Sequence, residues 1–214
     1  MRNGKTQVHQ ATRRIRLIVC VSALTAAFTI SLPQAVYATG HPVPPPVPPD
    51  LQVPAGNEAF REGHAAGTQN YICLPSGSSF TWTLFGPQAT LFNDHDRQFI
   101  THFLSPNPDE SGMARATWQH SRDTSTVWAM AIASSSDPNF VEPGAIPWLL
   151  LQVVGTEPGP TGGGRLTRTT FIQRLDTSGG IAPLTGCAGS GDVGNRALVP
   201  YTADYFFYKA VGSE

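Results

Sequence analysis

Glycine and proline interrupt almost every apolar stretch of this chain, and that punctuation decides what it can fold into. The 214 residues include 21 glycines and 19 prolines. Proline removes a backbone donor and clashes with the preceding helical turn, and glycine costs about 1 kcal/mol in a helix interior. Helical bundles and coiled coils are therefore excluded. With 40% hydrophobic residues the chain still has enough apolar mass for a core, so wholesale disorder is excluded too.

Between the breaks the pattern is that of strands. Residues 79–85 place Phe80, Trp82 and Leu84 on one face and Thr81 and Thr83 on the other. This is the period of two of a strand with one buried side. Residues 69–74, 89–93, 98–104, 117–120 and 125–133 are further strand candidates. Residues 146–154 (IPWLLLQVV) read as a strand buried on both faces, 167–175 alternate again, and 201–210 (YTADYFFYKA) form an aromatic strand. Eight or nine short strands separated by turn residues predict an all-β fold: a single-domain antiparallel sandwich or barrel with long Gly/Pro-rich loops. Residues 105–115 and 155–164 are expected to be exposed, mobile loops. Trp82 and Trp148 are expected in the core.

The first 38 residues differ in kind from the rest. Arg2, Lys5, Arg13, Arg14 and Arg16 precede an apolar run (LIVCVSALTAAFTISL), and the small residue Ala38 follows. This is the layout of a secretory signal peptide over residues 1–38. The run is shorter than the roughly 20 residues that span a membrane. Sec export is favoured over the twin-arginine route that Arg13-Arg14 suggests. Residues 39–54 contain PVPPPVPPDLQVP, an extended polyproline segment that reads as a linker before an all-β domain at 55–214.

The net charge of −1 conceals an asymmetry: residues 39–214 hold 9 basic and 15 acidic side chains. Nucleic acid is excluded as a partner, since phosphate contacts need clustered Lys and Arg. No span is expected to hold the chain in a membrane once the signal is removed. The expected location is secreted, either extracellular or in the periplasm and cell envelope. In that oxidising setting Cys73 and Cys187 form an isolated pair and are predicted to be disulfide-bonded.

Five stretches carry a family resemblance: VPAGN (53–57), GTQNYIC (67–73), AIPWLLLQ (145–152), TTFIQRLDTSGGIAPLTGC (169–187) and VPYTADYFFY (199–208). Together they resemble a family of secreted bacterial and fungal proteins known only as a domain of unknown function. Fungal members of it are sometimes labelled malate dehydrogenase. The residues do not support that label. Gly189, Gly191 and Gly194 spell G-x-G-x-x-G, but they follow Cys187-Ala188 rather than opening a helix after a strand. No cofactor is expected.

Two sets of side chains are candidates for function. His95, His102 and His120, with Asp94 and Asp96, are donors suited to a divalent metal, although no H-x-H or H-E-x-x-H spacing joins them. The competing reading is an Asx turn at 93–96 with surface histidines. Trp118 and Trp128 flank a polar stretch, so Trp118, Gln119, His120 and Trp128 are candidates for binding a glycan or small ligand, against simple core packing. The last strand offers Tyr205 and Tyr208 in the same position. The leading expectation is a non-catalytic extracellular or envelope-associated binding protein. The alternative is an extracellular enzyme, metal-dependent or hydrolytic, with Asp109, Glu110 and Asp123 as further candidate acids.

Overall fold

A computed structural model describes residues 40–213. The signal peptide expected at 1–38 lies outside the described residues. Eight antiparallel strands follow one another in chain order: β1 (Asn57–Ser76), β2 (Ser79–Phe92), β3 (Gln98–Asn107), β4 (Met113–His120), β5 (Thr126–Ser135), β6 (Trp148–Glu157), β7 (Thr169–Gly179) and β8 (Arg196–Ala210). Each pairs with the next, and β8 returns to pair with β1, so the sheet closes into an up-and-down barrel. Of the two all-β architectures expected, the barrel is the one formed.

Alternation sorts each strand into a lumen face and an outer face. Along β1 the lumen face carries Arg61, Gly63, Ala65, Gly67 and Gln69. A Cβ on Gly67 would lie 2.2 Å from the Gln88 carbonyl and 2.6 Å from the Ala89 Cβ, and one on Gly63 would press on Leu91 and Phe99. These glycines let β1 and β2 approach closely and bend around a narrow interior. They also hide the strand from a hydrophobicity pattern, which is why only 69–74 of β1 is expected from sequence. Leu91, Ile100, Trp118, Val127, Leu151, Ile172, Tyr205 and Phe207 fill the lumen's middle.

A second buried cluster lies on the outer face of β6–β8. It joins Trp148, Leu150, Leu175, Phe206 and Tyr208 to Leu51, Val141 and Ala145. The segment expected as a Pro-rich linker at 39–54 packs on this cluster through Val47, Leu51 and Val53. Pro49–Leu51 makes one 3-10 turn with Leu51 fully buried. The Leu51 carbonyl accepts a hydrogen bond of 2.7 Å from Gln173 Nε2. Polyproline stiffness serves here to hold an apolar side chain against the barrel at little entropic cost.

Other local expectations are corrected in the same way. Residues 79–85 and 89–93 are two halves of β2. Its first half extends beyond the core, leaving Leu84 and Phe85 exposed and Trp82 half-buried with Nε1 donating to Thr185 O. Trp148 is buried as expected. The stretch 105–115 is an ordered hairpin tip: Asn107 is fully buried and bonds Val154 O, and Arg115 pairs with Glu110 at 2.6 Å. In 155–164, Gly159 and Gly163 pack on Asp123, leaving no room for a side chain. Cys73 on β1 and Cys187 in the β7–β8 connection form the expected disulfide, closing a separation of 114 residues.

Candidate functional site

Packing divides the lumen into two hollows, one at each end. The larger opens at the end formed by the β3–β4, β5–β6 and β7–β8 connections and has a volume of about 350 Å³. Its walls are mainly apolar, with Leu84, Pro87, Leu104, Ala116, Met130 and Leu149 near the mouth. Its polar groups are Gln69, His102, Arg174 and Tyr205, with Trp118 beside them and Arg115, paired with Glu110, also in the lining.

The register explains why these groups meet. His102 on β3 lies directly opposite Trp118 on β4, so both side chains enter the lumen. Their rings stack with centroids 4.2 Å apart, and the Tyr205 ring is 5.2 Å from the imidazole. His102 Nδ1 lies 2.8 Å from Thr117 O. A carbonyl only accepts, so Nδ1 carries the proton and Nε2 keeps its lone pair. Burial, aided by the charge of Arg174, lowers the His102 pKa to about 3, so the ring is neutral. Burial also raises the Tyr205 and Tyr201 hydroxyls above the ordinary phenol range. They stay protonated, with their oxygens 3.3 Å apart. Arg174 donates through Nε and Nη2 to Pro147 O, which fixes its guanidinium at the edge of the hollow. Two buried donors in this wall, Gln69 Nε2 and Trp118 Nε1, have no hydrogen-bond partner. Such atoms are rare in native interiors and each carries a desolvation cost.

The remaining candidate residues are dispersed. Trp118 and Trp128 are buried at 0% and 5% exposure, so neither presents a flat face to solvent. Trp128 Nε1 is used on Ser105 Oγ, and Gln119 Nε2 on Thr126 Oγ1. Tyr205 and Tyr208 are buried as well, with Tyr208 bonded to Gln173. His95 sits in an exposed turn whose backbone amide donates to Asn93 Oδ1, the Asx geometry of the competing reading. His120 lies toward the opposite end of the lumen, where its Nδ1 is 3.0 Å from Asp123 Oδ1. His95, His102 and His120 therefore do not gather into a ligand set. Among the described residues, the only group of three potential ligand atoms within 4.8 Å of one another is Glu62, His64 and Asp204, on the outer face. Sequence reasoning missed it because His64 and Asp204 become neighbours only through the β1–β8 seam. His64 Nδ1 is 2.7 Å from Asp204 Oδ1, and that hydrogen bond raises the histidine's pKa.

The profile of a family described as "Protein of unknown function (DUF3455)" matches residues 54–209, nearly the whole barrel. The chain belongs to the DUF3455 family. No curated protein matches the chain, and no solved structure matches it. The DUF3455 match covers all eight strands of the barrel and every polar group around the larger hollow.

Proposed function

We propose that this DUF3455 protein is an exported binding protein that holds a small amphipathic molecule in the larger hollow of its barrel. The observation that carries this reading is an apolar-walled space of about 350 Å³, a size suited to small-molecule ligands, ending on a few fixed polar groups. An apolar body would fill the space between Leu84, Leu104, Met130 and Leu149. A hydroxyl or carboxyl head would meet the His102 lone pair, the Arg174 guanidinium and the unpartnered donors of Gln69 and Trp118. A bulky glycan does not suit this geometry, because the two tryptophans offer no exposed stacking surface.

Binding is favoured over catalysis by His102 itself. A ring whose conjugate acid ionises near 3 takes up protons poorly at neutral pH, so it serves as a fixed acceptor rather than a general base. Export is supported by the basic and apolar leader and by the disulfide. No helix among the described residues is long and apolar enough to cross a membrane.

The test is thermal unfolding of the full chain with medium-chain fatty acids, aromatic acids, alkanols and soluble oligosaccharides. Bound ligand raises the apparent stability by mass action. An amphiphile is expected to raise Tm, and Ala116→Phe, which fills the mouth, is expected to abolish the rise. No shift with any amphiphile, or an equal shift in the variant, overturns the assignment.

A further inference from the structure

We infer that the opposite end of the barrel is a separate site for a tetrahedral oxyanion, a phosphate or sulfate group carried by a small molecule. Arg61, Arg97, Arg122 and Arg165 line one hollow of about 250 Å³ there, together with His120 and Gln98. They arrive from four separate parts of the chain: β1, the β2–β3 turn, the β4–β5 turn and the β6–β7 loop. Residues 39–214 hold only nine basic side chains against fifteen acids, yet four of the nine converge on this one spot. Gathering like charges costs free energy unless something of opposite sign is held between them.

These arginines lack internal partners, a state shared among the other basic residues only by Arg196, which lies over the Phe85 ring. Among the described residues none of the four guanidiniums takes part in an ion pair. Arg115, Arg168, Arg174 and Lys209, by contrast, all donate to a carboxylate or carbonyl of the chain. Arg61 is the most telling of the four. It lies partly buried, 5.7 Å from the Phe60 ring centroid and 5.6 Å from that of Phe99, and its Nε is shielded from solvent with no hydrogen-bond partner. Burial and the nearby charge of Arg165 disfavour its protonated form, and the charge of Asp123 offsets them only in part. A buried charge is ordinarily paired or hydrogen-bonded.

The local acids do not supply that partner. Asp123 is already engaged by the Arg165 amide at 3.0 Å and by the Ser125 hydroxyl at 2.8 Å. Glu62, on the rim, groups with His64 and Asp204 on the outer face and makes no ion pair with any of the four arginines among the described residues. A tetrahedral oxyanion presents three or more acceptor oxygens in the spacing that planar guanidinium forks bind in pairs, where a carboxylate presents two, and a phosphate monoester adds up to two negative charges. A hollow of about 250 Å³ suits one such group on a small molecule rather than a run of phosphates along a polymer.

The experiment is calorimetric titration of the full chain with sodium phosphate, sulfate and acetate at matched low ionic strength. Phosphate and sulfate are expected to bind saturably at one site, and acetate at least tenfold more weakly. Arg122→Gln and Arg165→Gln change exposed side chains and should leave the fold intact while weakening the anion at least tenfold. Arg168→Gln, outside the cluster, should leave binding unchanged. No saturable binding of phosphate or sulfate overturns the site. So does equal binding by the Arg122 and Arg165 variants, and acetate binding as tightly as phosphate overturns the tetrahedral assignment. Because Ala116→Phe blocks only the other hollow, it should leave anion binding intact, and failure of one site is distinguishable from failure of the other.

Discussion

His102 lies flat against Trp118, the two rings 12° from parallel, and the stack closes the inner end of the larger hollow. Its consequence for stability is a pH dependence of defined sign. The unfolded imidazole takes up a proton near 6.5, whereas the folded one resists it down to about 3. Between those values the unfolded state binds more protons, so stability falls as pH falls, by up to about 1.4 kcal/mol per pH unit from this residue. Below about 3 the contribution is exhausted. Urea unfolding across pH 4–7 is expected to show a shallower slope in His102→Phe than in the parent chain.

His64 should titrate in the opposite direction. Its hydrogen bonds to Asp204 and Asp94 raise its pKa above 6.5. The stabilisation this gives is present below 6.5 and is lost as pH rises through the folded-state value. NMR titration of the imidazole is expected to place its midpoint above 6.5, and Asp204→Asn should bring it down. An unchanged midpoint in that variant would mean that Asp204 is not the cause.

The Cys73–Cys187 bridge closes a very long loop. In the chain-entropy model such a link stabilises by about 4–5 kcal/mol. Replacing both cysteines by serine should lower Tm substantially. Adding reductant to the parent chain should lower it by a similar amount, and should have no effect on the double variant.

Gly67→Ala places a methyl group on the Gln88 carbonyl and the Ala89 Cα of the neighbouring strand. Backbone cannot step aside as a flexible side chain can, so the substitution is expected to destabilise by about 1–3 kcal/mol or more. Gly189→Ala, where an added Cβ meets nothing within 4 Å, is the matched control and should be close to neutral.

Leu51→Ala distinguishes a packed segment from a free spacer. Leu51 is fully buried on the outer face of the barrel, so the truncation should cost about 2–5 kcal/mol. A spacer would show no change in chemical denaturation.

These residues also show what could be read from the chain alone. Strands whose inward positions carry large apolar side chains, such as Leu149 and Leu151 on β6, announced themselves by pattern. The first half of β1 did not, because a tight barrel needs glycine at Gly63 and Gly67, where a pattern search needs leucine. His102 was legible as a chemical candidate, but its placement depended on the β3–β4 register, and His95 lies in the turn before β3 while His102 and His120 lie on strands, a division that spacing alone left open. The arginine hollow was the least accessible. Its members are spread over more than a hundred residues, and Arg165 and Arg168 taken by themselves look too sparse to form a patch.

The seam between β1 and β8 runs from Asn57 opposite Ala210 to Ile72 opposite Arg196. The first strand of the barrel therefore waits for the last before the sheet can seal. Until residues 196–210 arrive, β1 and β7 both present a row of unpaired backbone groups, the templates on which separate chains zip together. A copy truncated before β8 should accordingly accumulate as aggregate rather than as a smaller folded barrel. The intact chain must also bring together strands separated by most of its length, a slow search by the standards of proteins with local contacts.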